Sequence, residues 1–291
     1  MNTIKTMLLM TLLGALMVVC GGAVGGQEGA TIMLMMALVM NFISYWFSDS
    51  MVLKAYNAQP IERAQAPELY DLVAKLAQRA QLPMPKVCVI NSNVPNAFAT
   101  GRNASHAAVA GTTGIMQALN YDELSGVLAH ELSHIKHHDT LISTVAATMA
   151  TFISYIAHMA QWAMIFGGGR SNRDDNGGAL GALFAIIVAP FAAMLIQMAI
   201  SRSREYEADK SGGEICGNPL YLARALEKID DYARNSRMLQ GATTSTAHMF
   251  IINPLKGSKV SFASLFSTHP STEERVERLR QQAGEMRLPA R

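Results

Sequence analysis

Residues 120–139 read NYDELSGVLAHELSHIKHHD. Asn120 can cap a helix and Glu123 stands three positions on, the capping-box spacing, after which Leu124, Val127, Leu128 and Leu132 recur at helical intervals. A helix through this stretch carries His130 and His134 one turn apart on one face, so their imidazoles can share one tetrahedral zinc. Glu131 is angled beside them, within reach of a water that the ion activates. With eight His and 13 Glu in 291 residues, an H-E-x-x-H string arises by chance in about one such chain in a hundred. The plainer reading is two surface histidines on an amphipathic helix.

A catalytic zinc takes three protein groups and keeps one position for water, so the motif needs a third ligand. Residues 204–209, REYEAD, can supply it. In a helix Glu205 and Asp209 share a face. Glu205 then completes a His-His-Glu set, and Asp209 can orient a ligand imidazole from behind. Glu207 points elsewhere, so helix geometry favours Glu205 over Glu207 as the ligand.

Half of the residues are apolar and 16% are charged, a balance well away from that of an average soluble domain and suggestive of membrane segments. A net charge of +2 gives no strongly basic face, which argues against nucleic acid as a partner. Cys20, Cys88 and Cys216 are odd in number and widely spaced, which fits buried free thiols better than a disulfide framework. The 19 methionines fall largely in apolar stretches and read as lipid-facing or packing residues, not as a copper site.

Residues 4–25, IKTMLLMTLLGALMVVCGGAVG, and 30–48, ATIMLMMALVMNFISYWFS, are each long enough to cross a bilayer and carry no charge beyond Lys5. They suggest a hairpin with a Gly-rich turn at 26–29. A signal peptide is the rival for the first, but its apolar run is longer than the usual signal core and a second span follows at once. Residues 140–166 and 179–200 form a second apolar pair around the polar loop GGGRSNRDDNGG, with His158 the only ionisable residue in the third segment. His158 reads as an interhelical hydrogen-bonding residue. Lys54 and Arg63 after the first pair, and Arg202, Arg204 and Lys210 after the second, place both termini and the polar portions on the cytoplasmic side. The topology bears on the chemistry. His130 and His134 precede the second pair and Glu205 follows it, so they can meet at one ion only if the intervening chain crosses an even number of times.

Between the pairs, residues 61–81 repeat apolar positions at helical spacing, ended by Pro83 and Pro85. Residues 87–90 and 106–110 suggest strands, and 91–101, NSNVPNAFATG, a turn followed by a strand. Such an edge can hold an extended peptide by β-addition or belong to an ordinary small sheet, and the residues alone leave the two open. Asn218-Pro219 starts a helix that runs to about Arg234. Residues 235–260 read as a loop, either a lid or disordered. A last helix begins with Ser271 as cap and Glu274 three residues on.

The strings HELSH, REYEAD, PNAFATG and STHPSTEERVERL, spread over nearly the whole chain, resemble the HtpX family of membrane zinc metalloproteases, relatives of the CAAX prenyl endopeptidases. The resemblance implies a mainly α membrane protein with four transmembrane helices in two hairpins and a cytoplasmic α+β zincin-like domain of the gluzincin type with a small sheet. The chain would divide into residues 1–49 (first hairpin), 50–139 (the protease segment with the HExxH helix), 140–200 (second hairpin) and 201–291 (the protease segment with the third zinc ligand). It implies one Zn2+ per subunit on His130, His134 and Glu205, Glu131 as catalytic base, and Asp209 steadying the ligands. Asn96, Ala97, Phe98 and Ala99 would border the substrate cleft. His269 and Arg275 look like late His-Pro and Arg positions of the family near that cleft, with His269 a candidate oxyanion donor. The implied role is quality control of misfolded or damaged membrane and cytoplasmic proteins in an inner membrane, with polypeptides and the lipid bilayer as partners. Two rival readings differ in turnover: a zinc-binding assembly factor or chaperone with a vestigial site, against which the intact Glu131 argues, and a transporter, which would want polar residues in the spans.

Overall fold

A computed structural model describes residues 2–143, 145, 202–235 and 270–287. The second apolar pair beyond Val145, His158, the 236–269 stretch and His269 lie outside the described residues.

The first helix, α1 (Asn2–Ala55), is helical throughout but not straight. A straight helix of that length would extend about 80 Å. Instead Asn41 Nδ2 donates to the Met10 carbonyl at 3.3 Å, Gly14 faces Ala37, Gly22 faces Ala30, and the backbones of Gly21 and Gly29 meet. The chain turns back at Gly26, whose φ of 60° suits a residue without Cβ. The expected hairpin is therefore present, with its turn inside the Gly-rich stretch. Gly26–Phe47 is long and apolar enough to cross a bilayer, with a mean hydropathy of 1.7, and Thr6–Val19 is a shorter apolar helix. Ile4, Met7, Leu8, Val19, Leu38, Val39, Phe42 and Phe47 are left exposed, the surface a lipid-facing element needs. Leu141 and Val145, at the start of the third apolar segment, pack on Leu13, Met10, Met17 and Tyr45 of this hairpin.

Past α1 comes a four-stranded sheet: β1 (Gln59–Pro60), β2 (Lys86–Ile90), β3 (Ala97–Gly101) and β4 (Ala107–Thr112), in the order β1-β2-β4-β3. β2 runs parallel to β4 with Cys88 opposite Ala110, and β3 is antiparallel to β4 with Ala99 opposite Val109. β3 is thus an edge strand of this sheet. The helix expected over 61–81 starts later: α2 spans Pro67–Ala80, because Gln59–Pro60 pair with β2 and Ile61 N donates to the Val87 carbonyl at 3.0 Å. Pro67 sits in the first turn, where its missing N–H costs nothing. The chain leaves at Gln81 in the left-handed conformation, before the prolines that were expected to stop it. The strand expected from 106 begins at Ala107, since residues 104–106 close a 3-10 turn whose cap is Asn103.

A short helix not foreseen, α3 (Thr113–Ala118), leads into α4 (Tyr121–Lys136). α4 begins with the full capping box: Glu123 N donates to Asn120 Oδ1 at 2.9 Å and Asn120 N to Glu123 Oε2 at 3.0 Å. Eleven of its 16 residues are buried, which makes it the central rod of the domain. One flank, with Leu128, Leu132 and Ile135, packs on α2, β2, β4 and α5 (Arg202–Cys216). The other, through Val127, joins α3, α6 (Pro219–Asn235) and α7 (Thr272–Glu285) around Leu222, Leu226, Ile229, Val276 and Leu279. α7 starts as the sequence predicts, with Glu274 N donating to Ser271 Oγ at 3.1 Å.

Candidate metal centre and active site

α4 carries His130 and His134 on the face that meets α5. Their rings lie edge to face with centroids 4.8 Å apart. The approach of α5 depends on Gly212, where a Cβ would fall 2.9 Å from the His130 Cα. α5 presents Glu205, Ala208 and Asp209 inward and leaves Glu207 exposed, as the helical argument requires. Glu205 Oε2 lies 3.8 Å from His130 Nε2, and Oε1 lies 3.7 Å from His134 Nε2. The two Nε2 atoms are 3.2 Å apart.

Each imidazole has a carboxylate on its other nitrogen. His130 Nδ1 is 3.0 Å from Asp209 Oδ1, and His134 Nδ1 is 3.3 Å from Asp139 Oδ2. A neutral ring that puts its proton on Nδ1 to meet a carboxylate leaves a bare lone pair on Nε2. Two lone pairs 3.2 Å apart cannot bond to each other. A cation shared with Glu205 would satisfy both. Ligands at 2.0–2.1 Å in a tetrahedron stand about 3.3 Å apart, close to the spacings seen here, and the donor set of two imidazoles and a carboxylate suits zinc. The residues therefore fit the ion that the motif implies.

Behind Asp209 stands Arg275 from α7, with Nε at 2.8 Å from Oδ2 and Nη2 at 2.7 Å from Oδ1. Its Nη1 is 3.9 Å from Glu205 Oε2, and the side chain is 1% exposed. Arg275, expected near the substrate cleft, lies beside the metal ligands but is buried, with its guanidinium paired to Asp209. Behind Asp139, Arg204 Nη1 lies 4.0 Å from Oδ1.

The charges tune one another. Burial works against ionising Asp209, but the charge and hydrogen bonds of Arg275, with His130, outweigh it and hold the carboxyl below its usual range. Burial likewise opposes protonation of His134, yet the hydrogen bond to Asp139 and the Glu205, Glu131 and Asp139 charges raise its pKa from 6.5 to about 9. Burial raises the Glu131 carboxyl; His130 and His134 pull the other way, and Glu205 adds to the rise. A base poised upward in this way suits proton traffic nearer neutrality.

Glu131 faces the sheet, where its Oε2 accepts from Ala99 N of β3 at 2.9 Å. That amide therefore points away from β4, so the alternation along an antiparallel pair sends the backbone groups of Ala97 and Ala99 toward the outer side of the edge. The side chains of Asn96, Ala97 and Phe98 are buried, and Phe98 packs on Tyr56 with ring centroids 5.1 Å apart, on the face opposite α4. The edge also reaches α1, for Arg102, one residue past β3, stacks over the Trp46 ring at 4.9 Å from its centroid.

His130, Glu131, His134, Glu205 and Asp209, singled out by spacing in the sequence, are thus neighbours in the structure. Asp139 and the Arg204 guanidinium were missed, while Ala99, one of the residues singled out, meets Glu131 through its amide. Asp139 looked like the first residue of an apolar segment, and the one available signal was an acid placed there beside a His-rich turn.

The chain is similar to known proteins. Residues 63–283 match Peptidase family M48. A protease HtpX homolog of Syntrophotalea carbinolica is 53% identical over 279 residues, covering 96% of this chain and 98% of that protein. One from Persephonella marina is 53% identical over 290 residues, covering 98% and 99%. Among solved structures, the crystal structure of S. mikatae Ste24p aligns with a TM-score of 0.53 at 19% identity, over 96% of this chain and 65% of that one. That is a likeness of fold, in which this chain spans about two thirds of the larger protein. From the family match and the relatives aligned end to end, the chain belongs to peptidase family M48 and is a membrane metalloprotease of the HtpX type.

Proposed function

We propose that this metalloprotease is a zinc-dependent endopeptidase that holds one Zn2+ per subunit on His130, His134 and Glu205 and cleaves misfolded or damaged membrane and cytoplasmic proteins. The observation that carries the reading is the convergence of two imidazole Nε2 atoms and the Glu205 carboxylate, all within 4.8 Å, beside a buried Glu131. When bound, zinc supplies Lewis acidity that activates water and polarises the scissile carbonyl. Glu131 accepts the proton of the attacking water and hands it to the leaving amine. Asp209, charged and fixed by Arg275, keeps the His130 ring turned with Nε2 toward the ion. The β3 edge takes the extended substrate by main-chain hydrogen bonds around the Ala99 carbonyl, the Ala99 amide being held by Glu131 and Ala97 being buried, which lays the scissile peptide beside Glu131. His269 is assigned the oxyanion on the family resemblance alone.

The same reading divides the chain into a first hairpin (1–49), a protease segment with the HExxH helix (50–139), a second hairpin (140–200) and a protease segment with the third ligand (201–291), with four spans in all. An even number of crossings between His134 and Glu205 is what lets them share an ion. The basic residues flanking the spans favour a cytoplasmic site and cytoplasmic termini in an inner membrane. A site this close to the bilayer suits membrane-embedded clients, and quality control under stress is the role that fits them.

The test uses the full-length protein in detergent, with metal analysis beside cleavage of unfolded and membrane-embedded targets, with and without chelator. Expected are one zinc per chain and cleavage that chelator abolishes. Glu131→Gln should keep its zinc and lose about 10²–10⁴-fold in rate, the usual worth of general acid–base catalysis. Substantial proteolysis by zinc-loaded Glu131→Gln would overturn the assignment. Glu205→Gln should lose zinc; if its zinc content is unchanged, the ligand lies elsewhere, with Glu207 next to be tried.

A further inference from the structure

We propose that Asp139 is a positioning residue for the metal centre, fixing the ring and tautomer of His134, and that Arg204 holds its carboxylate in place. The proposal rests on His134 being a metal ligand.

The end of α4 makes the contact possible. On a continuing helix, a residue five places beyond His134 would sit well round the cylinder from it. Here α4 ends at Lys136 and His138 takes a left-handed φ of 58°. Asp139 N then donates back to the His134 carbonyl at 2.9 Å. That turn swings the Asp139 side chain under the imidazole, with Oδ2 at 3.3 Å from Nδ1. With His138 N donating to the Ile135 carbonyl at 3.2 Å, this is the Schellman motif that commonly ends a helix, here with histidine where glycine is usual.

Burial adds a second argument. The Asp139 side chain is 5% exposed, and an isolated carboxylate at that depth would be costly without partners. Its Oδ2 faces His134 and its Oδ1 faces Arg204, at 4.0 Å. The order of groups, imidazole, carboxylate, arginine, is the one around His130, though Arg204 stands 4.0 Å from Asp139 where Arg275 stands 2.7 Å from Asp209. His134 has more need of such support, because its side chain is 18% exposed against 2% for His130, so packing alone constrains its ring less. Asp139 and Arg204 also stand at the two ends of the intervening 140–203 segment. The ion pair therefore joins that segment's entry and exit beneath one metal ligand.

The bland alternative is that Asp139 only starts the helix that follows, where its carbonyl accepts from Ser143 N at 3.2 Å. Serine starts helices about as well as aspartate but is too short to reach the imidazole, and asparagine caps equally well. Full-length protein in detergent is loaded with zinc and mixed with excess chelator, and zinc release is timed for Asp139→Ser, Asp139→Asn, Arg204→Met, the Asp139→Ser/Arg204→Met pair and His134→Ala. Removing a partner of this kind typically weakens metal binding about 10–100-fold, so Asp139→Ser should speed release by that factor while its thermal transition stays cooperative. Asp139→Asn should be milder, at least about threefold. Arg204→Met should speed release on its own but add nothing in the Asp139→Ser background, the mark of a residue acting through another. Release from folded Asp139→Ser at the wild-type rate, with His134→Ala unable to hold zinc, would overturn the proposal and leave the ligand set standing. If Asp139→Ser does not fold, Asp139→Asn decides, and a wild-type rate there overturns it. Zinc retained by His134→Ala would remove the ligand reading first, and this proposal with it.

Discussion

Arg275→Met tests whether α7 is tied to the metal centre by charge. Methionine fills similar space without donors. The substitution removes two short charge-assisted contacts, at 2.8 and 2.7 Å, from a pair whose side chains are 1% and 4% exposed. Solvent cannot replace those contacts, so Asp209 keeps a buried charge with only His130 to answer it. Breaking a buried pair in this way costs about 3–5 kcal/mol. For a domain of this size each kcal/mol moves the midpoint by about 2–4 °C, so Tm should fall by roughly 6–20 °C. Differential scanning fluorimetry of the detergent-solubilised protein reads this directly. Asp209→Asn combined with Arg275→Met should be less damaging than the sum of the two, because neither charge is left stranded. A Tm within about 2 °C of wild type for a folded Arg275→Met protein would refute the reasoning, since it would mean that the pair contributes under 1 kcal/mol.

Metal affinity should depend on pH in a defined window. The His134 pKa, raised from 6.5 to about 9 in the metal-free fold, means that its proton stabilises that fold fully below pH 6.5 and that this contribution is lost as pH rises through 9. The metal-free protein should therefore melt lower as pH climbs across this window, while zinc affinity, which must displace the proton, rises about tenfold per pH unit. Flat affinity by competition titration would count against it. Gly212→Ala would set a Cβ 2.9 Å from the His130 Cα and 3.0 Å from its N. Because backbone cannot swing aside, α4 and α5 must separate, at about 1–3 kcal/mol and with faster zinc loss. Gly284→Ala, which meets nothing within 4 Å, is the control. Near the end of α7 it should be neutral or stabilise by up to about 1 kcal/mol in the same melts.

Local chemistry was legible in the sequence. The capping box at Asn120, the Ser271 cap, the one-turn spacing of His130 and His134 and the inward face shared by Glu205 and Asp209 all follow from helix period and cap geometry within a few residues. Features that depend on distant partners were not. Arg275 meets Asp209 across 66 residues, and nothing near either predicts that an arginine close to a His-Pro motif turns inward to pair with it. Asp139 becomes visible only once the left-handed turn at His138 is known. The start of α2 was misplaced because Ile61 is apolar and in phase with the helix, yet its amide completes the pairing of β1 with β2. The edge position of β3 is likewise a property of strand order, which joins β2 to β4 across an intervening strand.

The metal centre takes its groups from three separated stretches of chain, and so has an order of manufacture. The ribosome delivers the paired imidazoles first and Glu205 some 70 residues later, a delay of several seconds at about 5–20 residues per second. The guanidinium that neutralises Asp209 follows after a similar interval. A nascent copy thus lacks a complete ligand set until Glu205 has been made, and a neutralised Asp209 until α7 has docked.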